Sequence, residues 1–190
     1  MNIGLDFDGV ILDSERISRF AAEYWSINTL GKPRLIRNEV SQDMCFNWTQ
    51  EEVERFFSEV YYDIIADCQF MPGVNEILKK LSDLGHKFYI ITLRGYFRPE
   101  EITYAKKDLE KLSITPEQII WGESNKAKRC EELNIDIMIE DNPKNIELFK
   151  NSKVDVFYLR DSEAREVNLK NVTTVYNWMD IYNEILKRSK

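Results

Sequence analysis

The N-terminal sequence MNIGLDFDGVILDSE, residues 1–15, places Asp6, Asp8 and Asp13 within eight residues, directly after a short apolar run. The run Asn2–Leu5 is typical of a buried strand, whereas aspartate is a poor strand former. Carboxylates that lie this close together repel one another. The stretch therefore predicts a first strand that ends at a polar site, where a positively charged group is needed to balance the acids.

The remainder of the chain alternates strand patterns with helix patterns. The apolar, β-branched runs that predict buried parallel strands are Asn2–Leu5, Phe88–Thr92, Gln118–Trp121, Asp136–Ile139 and Val154–Tyr158, with a weaker one at Thr173–Val175. The clearest helix pattern is an apolar stripe from Val74 to Leu84 that ends at Gly85. Later helices are predicted to start at Asn125, Asn142 and Asn177. This alternation predicts an α/β fold with a doubly wound parallel sheet.

Residues 13–72 break the alternation, because they contain helix patterns and no convincing strand. Thr49 and Glu52 have the spacing of a capping box and introduce a wide apolar helical stripe. An earlier set of residues falls on one helical face: Ile17, Phe20, Ala21 and Tyr24. The pattern predicts a helical subdomain at 13–72, inserted into a core domain formed by 1–12 and 73–190.

The composition and charge of the chain argue against some classes of binding partner. The chain has 190 residues, 43% of them apolar and 31% charged, and a net charge of −7, which argues against binding to a nucleic acid polymer. Cys45, Cys68 and Cys130 are far apart in sequence and are predicted to be buried thiols in a reducing compartment. No signal-peptide pattern and no apolar run of membrane-spanning length is present, so we expect a cytoplasmic protein without membrane contact.

Polar residues follow several of the predicted strands, and the carboxyl ends of parallel strands meet at one edge of a sheet. These residues are Asp6 and Asp8 after the first strand, Thr92 at the end of the second, Lys126 at a helix start, and Glu140 with Asp141 after a later strand. We therefore expect them to converge on one site, although they are spread over some 135 residues of sequence.

The converging acids indicate a divalent cation. Mg²⁺ prefers oxygen ligands and is held by one or two carboxylates together with water and substrate phosphate. In such a site Lys126 would pair with the carboxylate and the phosphate, and Thr92 could donate its hydroxyl to a phosphate oxygen. Arg94 follows Thr92 closely, and its planar fork would suit a second anionic group of a substrate. Gly9 allows a sharp turn after Asp8.

The order of these motifs resembles the haloacid dehalogenase (HAD) superfamily. In this chain the motifs are Asp6-Phe7-Asp8-Gly9-Val10, Ile90-Ile91-Thr92, Lys126, and Ile137-Met138-Ile139-Glu140-Asp141. The resemblance covers residues 1–12 and about 73–190, and it implies a HAD-like Rossmannoid core with an inserted helical cap. It also implies a Mg²⁺-dependent enzyme that acts on a small phosphorylated metabolite.

The resemblance assigns a role to each motif residue. Asp6 would attack phosphorus and form an aspartyl-phosphate. Asp8 would protonate the leaving oxygen and later deprotonate water, while its backbone carbonyl binds Mg²⁺. Asp141 would be the other carboxylate that binds the metal directly, beside Asp6. Glu140 would bind the metal through a water molecule or orient that water. Lys128 is an alternative to Lys126 for the phosphate-neutralising lysine.

The sequence leaves more than one hypothesis open for the substrate and for the reaction. The length and the Ile-Glu-Asp-Asn-Pro stretch resemble the 5′-nucleotidase group, whereas Asp13-Ser14-Glu15 resembles sugar-phosphate phosphatases and β-phosphoglucomutase-like members. A phosphatase acting on a nucleoside monophosphate is favoured. A phosphomutase and a non-catalytic phosphate- or Mg²⁺-binding regulatory domain are the alternatives. The cap is expected to set substrate choice, with Arg34 and Arg37 as candidate contacts.

Overall fold

A single sheet of six parallel strands organises the protein, in a computed structural model that describes residues 1–39 and 45–189. The strands are β1 Asn2–Leu5, β2 Lys87–Ile91, β3 Gln118–Ile120, β4 Ile137–Glu140, β5 Asp155–Leu159 and β6 Val172–Val175. Their order across the sheet is β3-β2-β1-β4-β5-β6, so the direction of winding reverses between β1 and β4. The predicted doubly wound parallel sheet is confirmed, and ligands of such sheets bind at this reversal.

Helices connect the strands and cover both faces of the sheet. They are α1 Ser14–Trp25, α2 Gln50–Phe56, α3 Tyr62–Ala66, α4 Val74–Asp83, α5 Glu101–Leu109, α6 Lys126–Glu132, α7 Pro143–Glu147 and α8 Trp178–Arg188. Two π-helical segments, Ser26–Leu30 and Phe57–Tyr61, extend α1 and α2. The predicted caps are confirmed, because the side chains of Asn125, Asn142 and Asn177 each accept a backbone N–H of the helix that follows.

Apolar side chains pack on each face of the sheet. One cluster joins β1, β2, β4 and β5 to α4 and α8 through fully buried residues such as Leu5, Leu78 and Ile181. A second cluster joins the opposite face to α6 and α7 through residues such as Cys130 and Ile146. Because side chains of buried parallel strands meet helices on both sides, only the strand ends are left to carry polar groups toward a ligand.

The helices between β1 and β2 have an aromatic cluster of their own, formed by Ala22, Trp25, Cys45, Phe46 and Phe56. The Trp25 and Trp48 rings lie edge to face with centroids 5.3 Å apart. The capping box predicted at Thr49 and Glu52 is confirmed at the start of α2. These contacts give residues 14–39 and 45–66 a small core that is separate from the clusters on the sheet.

The predicted apolar face of α1 is not its buried face. Phe20 and Tyr24 are 73% and 65% exposed, whereas Ser18, Ala22 and Trp25 are buried. The packing of the Trp25 ring into the aromatic cluster sets the rotation of the helix and turns Phe20 and Tyr24 outward. The packing of one large ring therefore has more influence on which face of α1 is buried than the apolar pattern of the neighbouring face.

The chain enters and leaves this helical region through two segments that lie side by side. Asp13 donates a backbone hydrogen bond to Gln69, and Met71 donates one to Ile11, at 2.9 and 2.8 Å. These bonds tie the boundaries of the insert to the end of the loop that follows β1. In the ranges 1–39 and 45–189, no helix is long and apolar enough to cross a bilayer. The three cysteines are buried and free, as predicted.

Candidate active site

A buried lysine links two acids at the carboxyl edge of the sheet. Asp6 follows β1, Glu140 ends β4, and Lys126 is the first residue of α6. The Lys126 ammonium lies 2.7 Å from Asp6 Oδ2 and 2.6 Å from Glu140 Oε2. All three side chains are buried, with Lys126 1% exposed. A charge this deeply buried requires such partners, so the triad is held in one arrangement.

Glu140 is oriented by further donors. Its Oε1 accepts the backbone N–H of Asn142 at 3.0 Å and the side-chain amide of Asn145 at 3.2 Å. Both carboxylate oxygens of Glu140 are thus hydrogen-bonded within the protein, one by Lys126 and the other at the start of α7. This arrangement fits a residue that orients Lys126 rather than one that faces a ligand.

Asp8 is held by an arginine from the loop that follows the neighbouring strand. Arg94 lies in the loop after β2, and its Nε and Nη2 each donate to an Asp8 oxygen at 2.7 Å. Ser14, at the first position of α1, donates to Asp8 Oδ1 at 2.5 Å. The second aspartate of the motif is therefore fixed by residues from two different elements.

Asp141 is placed by the turn that follows Asp8. Gly9 has φ +70°, and a Cβ added there would lie 2.0 Å from Asp141 Oδ2. The positive φ and the close carboxylate both demand glycine at this position. The turn thereby brings the end of β1 against the end of β4, and Asp141 comes close to Asp6.

Electrostatics at the site favour an added cation. Burial, followed by the charge of Glu140, raises the pKa of both Asp6 and Asp141, although Lys126 partly opposes the shifts. Burial raises the pKa of Glu15, beside these acids, to about 8. Burial would also raise the pKa of Asp8, but the Arg94 charge and hydrogen bonds lower it overall. Lys126 alone therefore does not balance the acids.

The residues present fit a hard divalent cation. One carboxylate oxygen from each of Asp6, Glu140 and Asp141 lies within 4.8 Å of the others. The donors are all oxygens, as Mg²⁺ prefers, and a cation would relieve the repulsion that raises the pKa values of Asp6 and Asp141. The side chain of Asp8 is turned to Arg94, so Asp8 could contribute only its backbone carbonyl, which is the ligand that the resemblance implies.

A cavity of about 830 Å³ opens in front of these groups. Asp6, Asp8, Thr92, Lys126 and Asp141 lie along its floor, and Arg94 lines it as well. Thr92 is 1% exposed, and its hydroxyl oxygen accepts the backbone N–H of Arg94 at 3.1 Å. The opposite wall belongs to α2, α3 and the segment between them, with aromatic residues Trp48, Phe57, Tyr61 and Tyr62. The volume of the cavity falls in the range of small-molecule binding sites.

The wall and the floor are tied together at one side of the cavity. Arg98, in the loop before α5, pairs with Glu54 of α2 at 2.8 Å and lies over the Phe57 ring at 3.7 Å. Tyr62 donates to Glu100 at 2.6 Å. These contacts bring the helical insert over the carboxyl edge of the sheet.

Six of the residues that the sequence singled out line this one cavity, namely Asp6, Asp8, Thr92, Arg94, Lys126 and Asp141. Lys128 is exposed and pairs with Glu132 on the surface of α6. Arg34 and Arg37 lie away from the cavity: Arg34 is buried against Glu163, and Arg37 pairs with Glu23. The expected contact of these two arginines with a substrate is therefore wrong.

Two residues of the site were missed. Sequence reasoning assigned neither Ser14 nor Glu15 a role in the site, yet Ser14 donates to Asp8 and Glu15 lines the cavity. Both residues follow Asp8 closely in sequence, and the loop after β1 is short. This closeness could have indicated that the start of α1 lies beside the site.

A parallel sheet with this strand order, a helical insert after β1 and a buried lysine between two acids agree with the HAD-like core that the motifs resemble. The whole chain, residues 1–190, matches the family described as "5' nucleotidase, deoxy (Pyrimidine), cytosolic type C protein", and the chain belongs to that family. This membership makes the protein a phosphoric monoester hydrolase of the HAD superfamily.

Relatives agree with this assignment. The chain is 24% identical over 187 residues to a Chlorobaculum tepidum protein named "Putative 5'(3')-deoxyribonucleotidase", covering 96% of this chain and 89% of the relative. A HAD-like protein of Agrobacterium tumefaciens has the same fold with a TM-score of 0.70 at 13% identity, covering 100% and 99% of the two chains. A HAD-like hydrolase from Streptococcus pneumoniae superposes with a TM-score of 0.67 at 16% identity, covering 100% and 98%.

Proposed function

We propose that the protein is a Mg²⁺-dependent phosphatase that hydrolyses a nucleoside monophosphate through an aspartyl-phosphate on Asp6. The observation that carries the proposal is the placement of Asp6, buried beside Lys126, at the floor of a cavity that Asp8, Thr92 and Asp141 share. A carboxylate next to a fixed ammonium can approach an anionic phosphate, because the ammonium offsets the repulsion between them.

Each residue has a part in the reaction. Asp6 attacks phosphorus, and Lys126 holds Asp6 and neutralises charge that builds up on the phosphate oxygens. Thr92 donates its hydroxyl to one of those oxygens. Asp8 gives a proton to the leaving oxygen and takes one from the water that releases the phosphate. Splitting the displacement into two steps avoids direct attack of water on the ester.

Asp6, Asp141 and the carbonyl of Asp8 would hold the Mg²⁺, with Glu140 orienting Lys126 from behind. When bound, the ion would act as a Lewis acid toward the phosphate and balance the carboxylates around it. The support for this site is the raised pKa of Asp6 and of Asp141, which a neighbouring cation would reverse.

The substrate class is supported by the wall of the cavity and by the family. The rings of Trp48, Phe57, Tyr61 and Tyr62 give the wall opposite the acids an apolar, flat-sided character that suits a nucleobase. The family description names a cytosolic 5′-nucleotidase, which supports a nucleotide substrate and a cytoplasmic location. The helical insert would then select the base, while the core performs the chemistry.

A panel of phosphate esters tests the proposal. Wild-type protein and Asp6→Asn are incubated with deoxyribonucleoside monophosphates, ribonucleoside monophosphates and sugar phosphates, with Mg²⁺ or with chelator, and released phosphate is measured. We expect Mg²⁺-dependent release from the nucleotides and none above background from Asp6→Asn. Equal rates on sugar phosphates would refute the substrate class, and formation of an isomeric phosphoester instead of phosphate would identify a mutase.

A further inference from the structure

The carboxylate of Asp8 accepts hydrogen bonds from two side chains. Two nitrogens of the Arg94 fork reach its two oxygens at 2.7 Å each, and Ser14 adds a third donor at 2.5 Å. A fork that engages both oxygens fixes the plane of a carboxylate as well as its position. Asp8 therefore has one defined orientation beside Asp6.

Arg94 is itself held in place. It is 3% exposed, its guanidinium lies over the Phe7 ring at 4.9 Å, and its backbone N–H bonds to the Thr92 hydroxyl. A buried guanidinium needs an anion, and here Asp8 supplies it. Phe7 lies between Asp6 and Asp8, so the arginine is packed against a side chain of the segment that carries both acids.

These contacts leave little of Arg94 for a substrate. Nε and Nη2 are committed to Asp8, and Nη1 is buried without a hydrogen-bond partner among residues 1–39 and 45–189. The sequence suggested that the fork would meet an anionic group of the substrate. The geometry shows the fork occupied by an acid of the protein, so the principal action of Arg94 is on Asp8.

We propose that Arg94 is a positioning residue that holds Asp8 as the base for the second half of the reaction. This inference rests on the proposed function. In that half, water attacks the phosphorus of the aspartyl-phosphate, a P–O bond to water forms, and the bond from phosphorus to Asp6 breaks. The proton of the water passes to Asp8, Asp6 regains its carboxylate, and inorganic phosphate leaves.

The two roles of Arg94 differ in which step they affect. A substrate ligand acts on binding and on the first transfer, so its loss slows the first turnover. A residue that orients the base acts on hydrolysis of the phosphoenzyme, so its loss slows the later turnovers. An activated aryl phosphate separates these steps, because its leaving group departs without a proton from Asp8.

The experiment follows aryl alcohol release from dinitrophenyl phosphate by rapid mixing with Mg²⁺-loaded enzyme. For Arg94→Gln we expect a first turnover of one alcohol per site at a rate within about threefold of wild type. We expect later turnovers to be about 100-fold slower, which is the ordinary contribution of a general base. Arg94→Lys keeps the charge but not the fork, so its later turnovers should stay at least about tenfold slow.

Arg34→Gln is the matched control, because Arg34 is also buried and paired, but with Glu163 and away from the cavity. Both phases should stay within about threefold of wild type in this variant. If Arg94→Gln does not fold by circular dichroism, Arg94→Lys supplies the same comparison.

Three results with the variants, and one with the wild-type protein, would overturn the inference. A first turnover slowed as much as the later ones would make Arg94 a substrate ligand. Full activity of Arg94→Lys would show that charge alone suffices, and unchanged later turnovers in Arg94→Gln would remove the role altogether. A wild-type protein with no phosphatase activity would overturn the proposed function and this inference with it, and that result is visible before any variant is made.

Discussion

At the scale of single residues, Lys126 is the buried positive charge that links two acids of the site. Its ammonium faces Asp6 and Glu140 at 2.7 and 2.6 Å in a buried position. Burial would lower the pKa of Lys126, but the two acids raise it overall, so the lysine stays charged at any physiological pH. A permanent positive charge between nucleophile and phosphate is what an attack of one anion on another requires.

Lys126→Ala should therefore lower turnover of a phosphate ester by about two to three orders of magnitude, which corresponds to a loss of about 3–4 kcal/mol of transition-state stabilisation. The measurement is steady-state kcat with saturating Mg²⁺ and substrate. Lys128→Ala is the control, since Lys128 is exposed on α6, and its rate should match wild type. If Lys128→Ala is the damaging change and Lys126→Ala is mild, the roles of the two lysines are reversed.

Gly9 is a position where an added Cβ would disturb the placement of Asp141. Gly9→Ala would place a Cβ 2.0 Å from Asp141 Oδ2 and would strain a backbone with φ +70°. We expect the variant to lose Mg²⁺ affinity by at least about tenfold, because Asp141 must move to make room. Isothermal titration with Mg²⁺ measures the loss. Gly31→Ala, where the added Cβ meets nothing within 4 Å, is the control for the positive φ alone. Equal Mg²⁺ affinity in Gly9→Ala and wild type would contradict the placement of Asp141 at the metal.

At the scale of elements, α8 braces the loop that carries the first two acids. The indole of Trp178 is 1% exposed and donates to the backbone carbonyl of Val10 at 2.9 Å. Val10 lies two residues after Asp8, so the last helix of the chain fixes the loop that follows the first strand. This contact spans nearly the full length of the sequence.

Trp178→Phe should destabilise the protein by about 1–3 kcal/mol, because it leaves the Val10 carbonyl buried without its donor and creates a small cavity. Urea unfolding monitored by far-ultraviolet circular dichroism gives the change in free energy. Trp121→Phe, which removes a partly buried indole outside this contact, should cost less. A larger loss in Trp121→Phe than in Trp178→Phe would show that the hydrogen bond to Val10 contributes little.

Strands and helix starts were predictable because their signals are local. Each strand lies within one residue of its predicted bounds at either end, since β-branched runs between turn residues leave few alternatives. The rotation of α1 was not predictable in this way, because Trp25 packs into a cluster that includes Phe46 and Phe56 from further along the chain. Long-range packing of this kind has no signature within the helix itself.

The difference between local sequence signals and long-range contacts also decides how much of the site was predictable. Parallel strands bring their carboxyl ends together, so Asp6, Thr92 and Asp141 could be placed at one edge from sequence alone. The partner of Arg94 could not be predicted, because a long side chain beside a cavity can face a ligand or a neighbouring acid with equal ease. Only the distances from its nitrogens to Asp8 decide between the two.

At the scale of the whole molecule, the acids at the site make stability depend on pH. Glu15 has its pKa raised to about 8, first by burial and then by the charge of Asp8. The unfolded chain loses this proton near pH 4.5, whereas the folded protein keeps it until about pH 8. Between these values the native state binds the extra proton, so this group lowers stability progressively as pH rises.

Glu15→Gln removes that dependence and should make the metal-free protein more stable than wild type by about 1–3 kcal/mol at pH 8. The advantage should shrink toward zero as the pH approaches 4.5. Urea unfolding in the presence of chelator, at several pH values, measures the difference. A difference that does not change with pH would mean that Glu15 is ionised throughout.

The most direct test of the central claim is to find the phosphoryl group on Asp6. Wild type and Asp8→Asn are mixed with dinitrophenyl phosphate and Mg²⁺, quenched in acid within the first turnover, digested and analysed by mass spectrometry. We predict one added phosphoryl group on the peptide that contains Asp6, and more of it in Asp8→Asn because the base for its hydrolysis is missing. Release of phosphate with no modified peptide, or a phosphoryl group on a residue other than Asp6, would contradict the mechanism.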